Sequence, residues 1–228
     1  MEHSLYDKRQ YPIVEVQEGY GEWVTTYENI VQDEMDIRLF NLVDINWSKA
    51  DAILDLACGT GRIGAWLQTK TDSPVDGVDL TPEMLAVAKS KNIYRSLHNA
   101  NVFETGLSSD TYDICTQSLA DEHLPELAPL YQEVARVTKS GGYFVLVGFH
   151  PHFLMAGIPT HYDDAEGNAK TIHSYVHLFS DHIKAAYQAG WQLITMDEGL
   201  IDDEWIAAKP KWEKHRGMPV SFVFVWQL

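Results

Sequence analysis

Cysteine is nearly absent, with Cys58 and Cys115 the only two in 228 residues. Two thiols are too few for the disulfide framework of a small secreted domain. Both fall at the ends of predicted strands inside a sheet, which predicts free thiols in a reducing, cytoplasmic compartment. Basic residues are also scarce, 17 against 33 acidic, for a net charge of −16. A chain this acidic is repelled by phosphate backbones, and no basic run or basic helix stripe offsets the repulsion, so nucleic acid is not an expected partner. The amino terminus lacks a charged-then-apolar leader, and the longest apolar runs are of strand length, so no membrane segment is expected. Internal repeats, low-complexity tracts and Pro/Gly/Ser linkers are missing as well. With 45% hydrophobic residues, the chain therefore reads as one unit around one core.

What is present is the run from Ala52 to Gly64, AILDLACGTGRIG. Ile53, Leu54 and Leu56 are residues of a strand covered on both faces, and Gly59 and Gly61 let the backbone turn where a Cβ would meet a ligand. A second apolar strand follows at Val75–Leu80 and ends on Asp79, twenty-four residues after Asp55. That spacing is one βαβ unit, and an acid at the end of its second strand can accept hydrogen bonds from ribose hydroxyls. Dinucleotides and S-adenosylmethionine both fit such a frame, and Gly59, Gly61 and Gly64 even satisfy the dinucleotide glycine spacing. Asp55 separates the two. A carboxylate just before the loop repels a pyrophosphate but helps hold a cationic amino group, directly or through water.

DLACGTG at 55–61, followed by VDLTPEML at 78–85, resembles the first two motifs of the class I S-adenosylmethionine-dependent methyltransferases of the small-molecule type. The resemblance continues over roughly residues 20–228. It implies an α/β, Rossmann-like fold with a seven-stranded, mostly parallel sheet of order 3-2-1-4-5-7-6 and helices on both faces. Residues 1–51 become lid helices, and residues 52–228 the core, with an acceptor-side insertion at about 150–179. The cofactor is S-adenosyl-L-methionine, expected on Tyr20, Asp55, Ala57, Gly59, Thr60, Asp79, Leu80, Asn101, Val102 and Gln117. Asn101 stands where the family usually has an acid, and Asn99 is a rival for that role. Ser140-Gly141-Gly142 lacks the family's preceding proline. The fourth core strand runs into Ser118–His123, without the Asn-Pro-Pro-Tyr or Asp-Pro-Pro-Tyr signature by which amino-methylating DNA enzymes hold a base.

Before the core, Met1–Gly19 reads as polar and loosely ordered. Tyr20–Ile45 reads as one or two helices, with Trp23, Tyr27, Ile30, Val31, Met35, Leu39, Leu42 and Val43 at helical intervals. Beyond the fifth core strand, six of the ten histidines lie between His150 and His182. Three readings of them stay open: metal ligands at His150/His152 and His173/His177, proton acceptors or polar clamps for a substrate, and satisfied surface residues. The strand-like content of 171–179 places 173 and 177 on one face without any helix, so no metal set is expected. Asp121, Glu122 and His123 sit where a methyl-accepting atom is expected, and an imidazole titrates in the range a general base needs. His123 and His152 are the expected catalytic residues. Trp23, Tyr27, His150, His161 and His173 are expected against the acceptor, and Asp202–Gly217 forms a helix or lid. The expected activity is methyl transfer to an oxygen or nitrogen of a small molecule. A non-catalytic cofactor-binding sensor or interaction module is the alternative, and a nicotinamide oxidoreductase the third reading. Oligomeric state is left open.

Overall fold

The computed structural model describes residues 1–30 and 35–228, with the side chains of all but 29 and 30. Its elements begin with β1 (Ile13–Val14), α1 (Val16–Trp23), α2 (Tyr27–Ile30), α3 (Ile37–Phe40), β2 (Ile53–Leu56), α4 (Arg62–Leu67), β3 (Val75–Asp79), α5 (Pro82–Ser90) and β4 (Ser96–Asn99). They continue through β5 (Tyr112–Ser118), α6 (Ala128–Val137), β6 (Thr138–Phe149), α7 (Pro151–Met155), β7 (His161–Asp163) and β8 (Ala169–Ile172). The last are α8 (Phe179–Gln188), β9 (Gln192–Leu200), α9 (Asp203–Ala208), a 3-10 turn at Pro210–His215, and β10 (Pro219–Gln227).

Seven strands form one sheet in the order β4-β3-β2-β5-β6-β10-β9. Counted along the core this is 3-2-1-4-5-7-6, parallel from β4 to β6, with β10 antiparallel to both neighbours. Side-chain alternation fixes what each face buries. Phe222, Phe224 and Trp226 of β10 pack with Leu130 and Tyr131 of α6 on one side. Val223 and Val225 pack with Leu39, Phe40 and Trp66 on the other. Each side chain buried in this way contributes about 1.5–3 kcal/mol relative to exposure. Cys58 and Cys115 are both free and buried. Among the described residues no helix is long and apolar enough to cross a membrane.

The first nineteen residues are more ordered than their polarity suggests. β1 pairs in parallel with β8, which pairs antiparallel with β7, giving a second, three-stranded sheet. The Met1 carbonyl accepts from the Val176 amide, and the His3 amide donates to the Ser174 carbonyl. Residues 1–51 are therefore not only lid helices, because their first part completes the insertion. Among the described residues, the helices of 20–45 are three short pieces, and Val31 lies outside the described residues. β4 starts at Ser96, and Tyr94 just before it is turned toward the glycine loop. β6 starts at Thr138 and has an irregularity opposite Tyr112–Ile114, with Gly141 at φ 78°.

Candidate functional site

The carboxyl ends of β2, β3 and β5 meet beneath the glycine loop. Gly59 (φ 52°) has open space where a Cβ would be, so the loop backbone is bare on that side. Gly64 does a different job from the one its spacing suggests. A Cβ there would lie 2.4 Å from the Tyr94 ring. The missing side chain admits Tyr94, whose hydroxyl donates to Asp55 Oδ2 at 2.7 Å. Thr116 donates to the other Asp55 oxygen at 3.0 Å. Burial, the largest cause, pushes Asp55 up to about 7 despite these bonds.

Asp79 ties the loop down. Its Oδ2 accepts from the Gly59 amide at 2.7 Å and its Oδ1 from the Thr81 amide at 2.8 Å. Burial raises its pKa above the usual carboxylate value, against the pull of those amides. The Asn99 side-chain amide donates to the carbonyls of Asp79 and Leu80, so Asn99 braces the strand end while Asn101 lines the adjacent cavity. That cavity measures about 180 Å³. Gln117, fully buried on its wall, has neither amide atom paired among the described residues. An uncompensated buried amide is costly, so it fits a ligand that supplies both a donor and an acceptor. Two residues on the wall, Ala57 (φ 51°) and Leu119 (φ 50°), hold left-handed backbone without being glycine, a strain that concentrates at binding sites.

A larger cavity of about 580 Å³ lies alongside, and Tyr20, Tyr27 and Leu119 belong to the walls of both. Tyr20 hydroxyl and His123 Nε2 are 2.9 Å apart at this shared wall. His123 Nδ1 lies 2.8 Å from the His173 carbonyl. A carbonyl only accepts, so Nδ1 carries the proton, and Nε2 is the acceptor for the tyrosine hydroxyl. Glu122 Oε1 stands 3.5 Å from the same Nε2. Behind them His182 is fully buried, with Tyr131 on its Nδ1 at 3.0 Å and Asp121 3.3 Å from its Nε2. Burial drives His182 down to about 3 and Asp121 up to about 7.

Eight of the ten residues expected around the cofactor share the smaller cavity: Tyr20, Ala57, Gly59, Asp79, Leu80, Asn101, Val102 and Gln117. Asp55 and Thr60 are not on its wall, because Asp55 is taken up by Tyr94 and Thr116 under the loop. Trp23, Tyr27 and His161 line the larger cavity. Two acceptor-side expectations do not join them. His150 caps α7, accepts from the His152 amide and pairs with Glu198 at 2.7 Å. The His173 ring pairs with Glu2 at 2.9 Å, and only its carbonyl reaches His123. His152, expected to be catalytic, is exposed on α7 because the turn of that helix buries Phe153 and Leu154 instead. His173, Tyr175 and His177 stack in a row at alternate positions of an extended segment, 5.0 and 6.4 Å between successive centroids. Missed residues include Met84 and Phe103 on the smaller wall and Phe149, Phe153 and Trp212 on the larger. Met84 and Phe153 are in helices, Phe149 ends β6, Phe103 is in a turn and Trp212 in the 3-10 turn; an isolated apolar residue in any of these looks like core from sequence, so nothing marked them.

The methyltransferase-domain family model matches residues 54–146. A malonyl-(acyl-carrier protein) O-methyltransferase of Marinomonas sp. is 33% identical over 114 residues, 47% of this chain and 41% of that protein. A ubiquinone/menaquinone biosynthesis C-methyltransferase of Bdellovibrio bacteriovorus is 31% identical over 114 residues, 47% of this chain and 48% of that protein. This chain thus spans less than half the length of both relatives. In fold it is similar to an S-adenosylmethionine-dependent methyltransferase from Mesorhizobium loti, with a TM-score of 0.69 and 22% identity, over 86% of this chain and 98% of that one.

Proposed function

We propose that this chain, which belongs to the class I S-adenosylmethionine-dependent methyltransferase family, transfers a methyl group to an oxygen or nitrogen of a small molecule. The donor, when bound, supplies a methyl group already activated by its sulfonium. The smaller cavity is its seat in this reading, with Asp79, Gln117 and Asn101 as polar contacts and Leu80 as an apolar one. The larger cavity takes the acceptor.

One observation carries the assignment of atom. Tyr20 stands on both walls, with its hydroxyl against His123 Nε2. An oxygen or nitrogen nucleophile must lose a proton as it is methylated, and this pair can take it. The acceptor's proton passes to the Tyr20 oxygen as the Tyr20 proton passes to His123 Nε2, leaving a neutral tyrosine and an imidazolium. The His173 carbonyl holds the imidazolium's Nδ1–H, and Glu122 Oε1 stands 3.5 Å from its Nε2. Residues on both sides align the reacting atoms, and the remaining catalytic effect is positional.

The test is labelled-methyl transfer into a panel of phenols, carboxylic acids and amines, with S-adenosylhomocysteine affinity measured by calorimetry. Wild type should turn over one of these classes. His123→Ala should lower the rate by about 100-fold or more with little change in S-adenosylhomocysteine affinity. Full turnover by both His123→Ala and Tyr20→Phe at every pH would remove the proton acceptor from the mechanism. Tight binding of S-adenosylhomocysteine with no transfer to any acceptor would instead favour a non-catalytic binding module.

A further inference from the structure

We propose that the larger cavity takes an acceptor with a flat, ring-bearing apolar body and an anionic group, the body among the cavity's aromatic rings and the anion at a cationic rim. The inference rests on reading this cavity as the acceptor side, and it adds the chemical class.

The rings form two stacked groups, with Tyr27 edge-on to the second. Phe149 and Phe153 stack at 6.0 Å and 9°, and Phe153 and Trp212 at 5.5 Å and 17°. Tyr20 and Trp23 stack at 5.9 Å and 20°. Flat bodies pack against such rings by face or edge, gaining about 0.5–1.5 kcal/mol per ring pair beyond the area buried. A long flexible chain would gain the area but not this geometry.

The described residues of the cavity wall include Lys209 and Lys211 and no carboxylate. In a chain of net charge −16, Arg95, Arg136, Lys139 and Lys170 are each paired with a carboxylate. Arg9 and Lys211 have no carboxylate in ion-pair range among the described residues, and both stand at this mouth. Lys211 is on the cavity wall, while Arg9 donates to Nε2 of His161, another wall residue, at 2.8 Å. After burial, the charges of Arg9 and Lys211 are among the causes that keep His161 below its ordinary pKa, so the imidazole stays neutral and accepts from Arg9. The acids Asp203 and Glu213, close in sequence, are occupied by Arg216. Two cations without counter-ions beside an aromatic cavity suit an anion attached to a ring.

The experiment uses the full chain and two fluorescent probes with the same ring body: anionic 8-anilinonaphthalene-1-sulfonate and neutral N-phenyl-1-naphthylamine. The anionic probe should bind at one site about tenfold tighter, the scale expected of two partly solvent-screened charges. The exposed-site double substitution Arg9→Gln, Lys211→Gln should erase most of that advantage and leave the neutral probe unchanged. Salt at 300 mM should act on the anionic probe alone. Trp212→Ala should weaken both. Equal affinities, an advantage that survives the double substitution, indifference of both probes to Trp212→Ala, or no binding of either would each overturn the proposal. S-adenosylhomocysteine titration of the same samples keeps the readings apart. Failure of wild type to bind it would strike the methyl-transfer reading, while the probe comparison would still decide the nature of the cavity.

Discussion

At the scale of single residues, the two carboxylates that flank the glycine loop divide the work. Asp79 reaches the loop amides from the cavity wall, while Asp55 lies beneath the loop and off the wall. Asp79→Ala should weaken S-adenosylhomocysteine by about 1.5–3 kcal/mol, since the ligand loses a charged acceptor and the Gly59 amide loses its anchor. Calorimetric affinity unchanged within error would remove Asp79 from the ribose site. Glu122 supports a pH prediction. Burial, more than any other cause, pushes it up to about 7. The folded chain thus keeps a proton that the unfolded chain has released, and stability from this group is full below about pH 4 and is lost as pH rises through about 7. Glu122→Gln has no such dependence. Urea titrations should therefore show the variant gaining on wild type between about pH 5 and pH 8, and a flat difference would show that Glu122 ionises normally. Asp79 and the glycines were legible because their chemistry dictates their spacing. Tyr94 was not, since its partner Asp55 is 39 positions away and no local pattern joins them.

Among elements, legibility followed length and alternation. β2, β3, β5, β6 and β10 are runs of β-branched, aliphatic and aromatic residues bounded by turns, and the order of the sheet agreed with the family resemblance. Trp226, fully buried against Tyr131, anchors the last of them. Trp226→Ala should cost roughly 3–5 kcal/mol in denaturant unfolding. A loss under about 1 kcal/mol would mean that the rings around it collapse into the space. The second sheet was not legible. Strands of two, three and four residues show no period, and their partners are more than a hundred positions apart in the case of β1 and β8. The same limit explains the histidines. Alternation put His173 and His177 on one face, but whether that face looked into a cavity depended on the amino-terminal strand, which the sequence hid among polar residues.

For the molecule as a whole, an early and a late segment of the sequence meet at the site. The amino-terminal strand is bonded to the insertion, the helix after it carries Tyr20, and the segment at 209–212 closes the larger cavity from the far side. The smaller cavity, at about 180 Å³, is below the roughly 300–1,000 Å³ of common ligand sites, and an outward shift of Tyr20 and its helix is the expected way for a nucleoside to enter. That helix is also a wall of the second cavity and is tied through β1 to β8, so the shift changes both sites at once. The two ligands are then thermodynamically linked. Whatever factor the first applies to the affinity of the second, the second must return to the first, typically about 5–150-fold. Titrating S-adenosylhomocysteine with and without saturating anilinonaphthalene sulfonate measures that factor, and repeating it in the opposite order must give the same number. A factor of one would mean that Tyr20 moves for neither ligand. Any other value makes the tyrosine a hinge of communication, through which occupancy of one chamber sets the residence time of the guest next door.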